Sequence, residues 1–447
     1  MGQRHSIACA LVAPLVVLAG CMETGPLRHD QSLVESSRQL AAAHDPRLRP
    51  FIEALYRDGE WNAVLNFQQL ALAAMEIGEL KIAADSLDSA ITRVEAIYAD
   101  DENARKARSA FNQEAVKDFK GEPYERAMLY YYRGLLYAHE GDFQNARAAF
   151  LAADRHDTLS SAEDREFAGD FGMMKYLAGW ASYCDGDETR GGQLVNEAKA
   201  SDDLVRRLPD RPPKRLLLVD AGGAPEKYRE GQFGERLKFR ASALADDDVR
   251  VHPSESGPPN PLPLVAIGDV AYQARTRGGR EVDAILAGKA QFKETAATVA
   301  AIGTQTGALM SIAGAQSGQR DVMNAGFASM LASVIASAIS DATAPQADVR
   351  AWRSLPSRVL MADLTNVPSS ALRLTGASGA RPLTLHPESR HACSIAYGRT
   401  TSPLMTADGG VVTTESVRPQ ENGREQRNAA FRDELTTRFA PGALATR

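Results

Sequence analysis

"ERAMLYYYRGLLYAHEGDFQNARAAFLAAD", residues 125–154, reads as two helices joined at Gly141. Tyr130, Gly134 and Tyr137 precede that glycine, and Ala146, Phe150 and Ala153 follow it. Two antiparallel helices that cross closely need small residues where their backbones meet and large apolar residues between them. Gly134 and Ala146 suit the crossing, Tyr130, Tyr137 and Phe150 the filling, and Gly141 the turn.

The pattern recurs. Around Gly78 stand Phe67, Leu70, Ala71 and Ala74, then Ala83, Leu87 and Ala90. A degenerate third copy holds Gly179, Gly186, Val195 and Ala198. These copies resemble the tetratricopeptide repeat. Their turns are spaced more widely than the ~34 residues of a regular array. The insertion "DENARKARSAFNQEAVKDFKG" reads as a longer helix. The expected fold is mainly α: an irregular, tetratricopeptide-like α-solenoid over residues 51–207, then a smaller α+β domain and a disordered C-terminal tail.

The character changes at Leu208–Pro213, where a proline cluster marks a boundary. In "KRLLLVDAGGAPEKY", Leu216–Val219 read as a buried strand and Gly222-Gly223 as a turn. A glycine turn after a strand can cradle phosphate, but Pro225 follows and a structural turn is the better reading. Residues 253–263 are proline-rich, a connector. Asp269 reads as a helix cap and Gly278-Gly279 as a helix break. Arg275, Arg277, Arg280, Lys289 and Lys293 form a basic patch in an acidic chain. It is a candidate site for an anion or a partner, or else a solvated face paired with Asp269, Glu281 and Asp283.

Residues 295–319 and 322–340 carry no charge. A transmembrane hairpin would suit Gly303, Gly307, Gly314 and Gly318. The second stretch is one-sided, however, and the first is rich in Thr, Gln and Ser, so a buried Ala/Gly/Ser-rich helix pair is expected. Arg358–Asp363 and "SALRLTG" read as strands joined at Pro368, forming a small sheet with Leu216–Val219. The α+β domain is placed at 214–385. Residues 400–447 read as mostly disordered, with a short helix near Phe431.

The N-terminus sets the expected location. Arg4 precedes an apolar run from Ile7 to Ala19, too short to span a bilayer and shaped like a secretory signal, residues 1–20. Leu18-Ala19-Gly20-Cys21 resembles the bacterial lipobox. That resemblance implies cleavage before Cys21 and lipidation of its thiol and amine, palmitate included. Met22 is not the Asp of inner-membrane retention, which favours the outer membrane. Residues 21–50 then act as a tether. The formal net charge of −6 argues against a nucleic-acid binder. Cys184 and Cys393 lie in segments of different character and are expected as two buried thiols, although an oxidising periplasm permits a disulfide.

"GEPYERAMLYYYRGLLYAHEGDFQNARAAF", "VDAGGAPEKY" and "ADVRAWRSLPSRV", in this order behind a lipobox, look like a little-characterised family of Gram-negative tetratricopeptide-repeat outer-membrane lipoproteins. The resemblance covers roughly residues 50–375. It implies a periplasm-facing, lipid-anchored protein and brings no catalytic residues. No GxSxG, HExxH or P-loop pattern occurs, so no enzyme, cofactor or metal is expected. His386, His391 and Cys393 match no common zinc spacing and read as a surface loop. The Tyr130–Tyr132 run and Tyr137 could stack on sugar. The expected function is a protein-interaction scaffold for envelope assembly or maintenance, binding a protein through the repeat surface and the membrane through Cys21. A structural subunit of an export or secretion assembly, and a glycan-binding or peptidoglycan-remodelling protein, are the alternatives.

Overall fold

The computed structural model describes residues 31–99, 118–158, 171–232, 234–244, 248–252, 261–276, 347–367, 372–377, 379–386, 391–404 and 425–440. The protein is mixed α/β with a helical majority. Helices α1 (Gln31–Ala41) and α2 (Arg49–Asp58) lead into three helical hairpins: α3 (Ala63–Glu76) with α4 (Leu80–Ala99), α5 (Pro123–Glu140) with α6 (Phe143–Thr158), and α7 (Met173–Cys184) with α8 (Glu188–Ser201). They stack in series, α4 on α5 and α6 on α7.

Local chemistry sets these helices. Glu122 and Glu125 form a reciprocal capping box at the start of α5, with Pro123 in the first turn, where its missing N–H costs nothing. At the other end Gly141 adopts φ +83°, and the Asp142 N–H reaches back to the Tyr137 carbonyl. The reversal closes the orphan carbonyls of the last turn. Gly78 and Gly186 end α3 and α7 with the same bond pattern. Within the second hairpin, a Cβ on Gly134 would lie 2.6 Å from the Phe150 ring, so glycine makes room for that ring at the crossing.

A short helix α9 (Asp203–Arg206) precedes strand β1 (Arg215–Ala221). The ribbon β2 (Glu226–Glu230) and β3 (Arg236–Arg240) follows, then β4 (Arg250–His252), β5 (Val265–Asp269) and helix α10 (Val270–Thr276). Beyond these lie β6 (Arg358–Asp363), β7 (Arg373–Gly376), β8 (Gly379–Pro382), β9 (Ser394–Arg399) and helix α11 (Glu425–Arg438).

The main sheet runs β5-β6-β1-β9, with β1 antiparallel to β6 and parallel to β9. Its alternating side chains divide two cores, as a period of two requires. Leu216, Leu218, Val359, Met361, Ile395 and Tyr397 join the helices in one. Leu217, Val219, Ala221, Leu360, Ala362 and Ala396 face the other way, against Val251, Leu374 and Leu383 around the second sheet, β4-β7-β8. The layers are therefore helices, sheet, sheet.

Four expectations change. The strand in "SALRLTG" does not pair with β6, because β1 and β5 occupy both edges of β6; β7 pairs with β4 and β8 instead. The sheet does not stop at residue 385, since β9 completes it. The helix expected near Phe431 is present as α11, and it does not hang free but docks on the first helices through Phe431 and Leu435. Cys184 and Cys393 are not separate thiols but form a disulfide across 209 residues, joining the end of α7 to the start of β9. Sequence character gave no sign of this, because it reports the local element and not which elements meet. The signal segment, Cys21, the 101–117 insertion and the uncharged 295–340 stretch lie outside the described residues. Among those described, no helix is long and apolar enough to cross a membrane.

Candidate functional site: a buried polar junction

The inner helices α3, α5 and α7 are buried along almost their whole length. The chain's own second half covers them, and the cover is polar at its centre. Asp220, on β1, is 1 % exposed. Its Oδ2 accepts hydrogen bonds from Tyr132 Oη of α5 at 2.6 Å, Tyr397 Oη of β9 at 2.7 Å and Arg399 Nη1 at 2.9 Å. Arg399 Nη1 also donates to Tyr397 Oη at 2.8 Å, and Nη2 to the Ser354 carbonyl. Tyr132 lies edge-on to Trp352 and Tyr397. Burial pushes the Asp220 carboxyl up from its usual range, against the guanidinium and phenol bonds that favour its anion. Burial also lifts both phenols well above theirs, so they remain donors.

A second clasp lies beside the first. Lys227 Nζ of β2 meets Glu125 Oε2 of α5 at 2.7 Å, both side chains essentially unexposed. Lys227 also donates to the Arg350 carbonyl at 2.8 Å, and Glu125 Oε1 accepts the Trp352 N–H at 2.9 Å. Arg350 is paired to Asp348 and reaches the Trp61 carbonyl at 3.2 Å, with its guanidinium 4.8 Å from the Trp61 ring centroid. Burial raises the Asp348 carboxyl, but Arg350 outweighs it and holds the group below its usual range.

The three stretches quoted for the family resemblance therefore converge. The first supplies Glu125 and Tyr132, the second Asp220 and Lys227, the third Asp348, Arg350 and Trp352. Chemically, such a junction fixes two halves of a chain in one register. Two buried ion pairs are expensive to desolvate, and losing one partner strands the other charge. Asp220 Oδ1, Arg399 Nε, Ser354 Oγ, Trp352 Nε1 and Tyr131 Oη are buried there without a protein hydrogen-bond partner. Among the described residues no His, Cys, Asp and Glu group could hold a metal ion.

Of the residues singled out in sequence, Tyr131 and Tyr132 lie at this junction and the others fall elsewhere. Phe67, Ala83, Ala146 and Phe150 lie in the core, and Gly78, Gly134 and Gly141 at the turns and crossing already described. Tyr130 stacks on His156 and donates to Glu95, which also meets His156 Nε2 at 3.1 Å. Tyr137 is half-buried under the Arg133 guanidinium. Each contact covers one face of its ring. Arg275 is exposed at the end of α10, its Nε on the Ala271 carbonyl. Arg277, Arg280, Lys289 and Lys293 lie outside the described residues. The Gly222 and Gly223 amides are taken by Thr400 Oγ1 and the Leu244 carbonyl, which leaves neither for a phosphate. Cys393 is not on a surface loop but buried at the start of β9, and His391 packs edge-on against Phe143.

Sequence reading missed Asp220 and Arg399 as a pair. The signal for Asp220 was a lone acid closing an apolar strand; Arg399, between the expected α+β domain and the expected disordered tail, gave none. No protein-family model, curated protein or solved structure matches the chain.

Proposed function

We propose that this protein is an outer-membrane-anchored, periplasm-facing lipoprotein whose irregular, tetratricopeptide-like helical array is a protein-interaction scaffold in the cell envelope. The observation that carries this reading is the unequal use of the array's two faces. The inner helices are covered by the chain's own sheet, whereas α4, α6 and α8 keep exposed positions, among them Asp88 and Thr92, Gln144 and Asn145, Arg190 and Gln193. An array whose inner groove is filled offers its outer helices to a partner. The lipobox supports anchoring at Cys21, and the Cys184–Cys393 bridge suits an oxidising compartment.

Two measurements test the proposal. Cys21→Ser should move the protein to the soluble periplasm or leave it uncut. A mature Cys21→Ser form that still fractionates with the outer membrane removes the anchor. Affinity purification from detergent-solubilised envelopes, read by mass spectrometry, should retain an envelope protein that Gln144→Arg with Gln193→Arg loses. Retention of nothing beyond an untagged control, or retention indifferent to those changes, removes the scaffold.

A further inference from the structure

We infer that helix α11 is an exchangeable ligand of a groove on the first helices, and that a second copy of this chain is the partner that groove accepts. α11 enters the core through few residues. Phe431 and Leu435 are buried on it and Phe439 just past its end, four residues apart in each case. Most of the rest of the helix is exposed or half-buried. This is the spacing by which an amphipathic helix is read in a groove.

The groove is built for it. The Phe431 and Phe67 rings meet edge-on at 6.0 Å, and the Arg93 guanidinium lies 5.1 Å from one centroid and 4.9 Å from the other. Phe439 meets the His44 ring at 5.5 Å, and its carbonyl lies 3.0 Å from His44 Nε2. Asn428 Oδ1 accepts the Glu60 N–H at 3.0 Å, Arg432 Nε donates to the Tyr56 carbonyl at 3.1 Å, and Arg427 pairs with Asp118 at 2.7 Å. Arg93 pairs with Glu434 at 2.8 Å, so charge is matched as well as shape.

Residues 405–424 join Leu404 to this helix. Fully extended, that length of chain reaches on the order of 70 Å. The helix can therefore seat on its own groove or on that of a neighbouring copy. In the exchanged pair each helix makes the same contacts in the other's groove, a self-complementary two-fold arrangement. Closed monomer and exchanged dimer then differ mainly in connector entropy. The intramolecular helix acts at an effective concentration on the order of mM, so the monomer prevails well below that and the dimer grows toward it.

Light scattering on the full chain in mild detergent, refolded at ~10 μM, well below that effective concentration, and at ~1 mM, close to it, reads the exchange. Monomer at the lower concentration and dimer at the higher are expected. A synthetic peptide of residues 425–440, in excess during refolding, should return the wild-type dimer to monomer. Phe431→Ala removes the main anchor from both states, so the helix should detach and leave a monomer at either concentration. Because that variant could lose its fold, the peptide competition on wild type stands alone as a test. A dimer that ignores the peptide uses another surface, and a chain monomeric at both concentrations does not exchange; either result overturns the inference.

Discussion

Gly134→Ala probes the crossing of α5 and α6 directly. The added methyl would sit 2.6 to 2.9 Å from three atoms of the Phe150 ring, closer than carbon atoms tolerate. Phe150 is fully buried, so the ring has nowhere to swing. Overpacking of this kind costs about 1–3 kcal/mol. Alanine returns about 1 kcal/mol of helix propensity over glycine. The net loss is then about 0–2 kcal/mol, against a normal gain from Gly→Ala in a helix. Phe150→Leu removes the obstructing ring and by itself costs about 1–3 kcal/mol through the cavity it leaves. In that background Gly134→Ala should be neutral or stabilising by up to about 1 kcal/mol. Denaturant melts of the four proteins give the coupling. If Gly134→Ala has the same effect in both backgrounds, within about 0.5 kcal/mol, the two residues do not meet and the crossing is misplaced.

Other outcomes follow from the junction and its surroundings. Asp220→Asn should cost about 3–5 kcal/mol by stranding the Arg399 charge, and adding Arg399→Met should recover part of that loss; denaturant midpoints for the single and double variants decide it. His156 is held below its ordinary pKa, burial outweighing its bond to Glu95. In the window below 6.5 the unfolded chain therefore binds the extra proton first. Stability should fall as pH drops from 7 through that window, and His156→Gln should flatten the fall in melts at stepped pH. Removing the bridge with Cys184→Ala and Cys393→Ala should cost about 2–5 kcal/mol without changing far-ultraviolet circular dichroism at 25 °C. A high-resolution crystal structure should show ordered water bonded to Asp220 Oδ1 and Ser354 Oγ; both atoms packed against carbon alone would show that the junction is dry.

Much of the helical part was legible because its signals are local. Gly141, Gly78 and Gly186 mark turns through their own backbone needs, and the small and large residues around Gly134 repeat at helical spacing. β1 and β6 were legible for the same reason, as short apolar runs. The partners of those strands were not. Which strand lies beside β6 depends on edges already taken by β1 and β5, and nothing in "SALRLTG" records that. The junction was half legible. The stretches holding Glu125, Asp220 and Arg350 stood out as motifs, but their convergence is a property of the sheet's placement over α5. The helix near Phe431 was legible, but its docking and the role of Arg399 were not. The anchoring depends on one buried ion pair for Arg399 and on three buried side chains for α11, and neither partner is recorded in the local sequence.

Hydrogen exchange, followed by mass spectrometry on the full chain with the Cys184–Cys393 bridge intact and then reduced, tests most directly whether the second half is locked onto the inner helices. β1, β9 and α5 should exchange together through one cooperative opening, and reduction should accelerate all three in step. Early exchange of β1 and β9 while α5 stays protected, with no response of α5 to reduction, would contradict it.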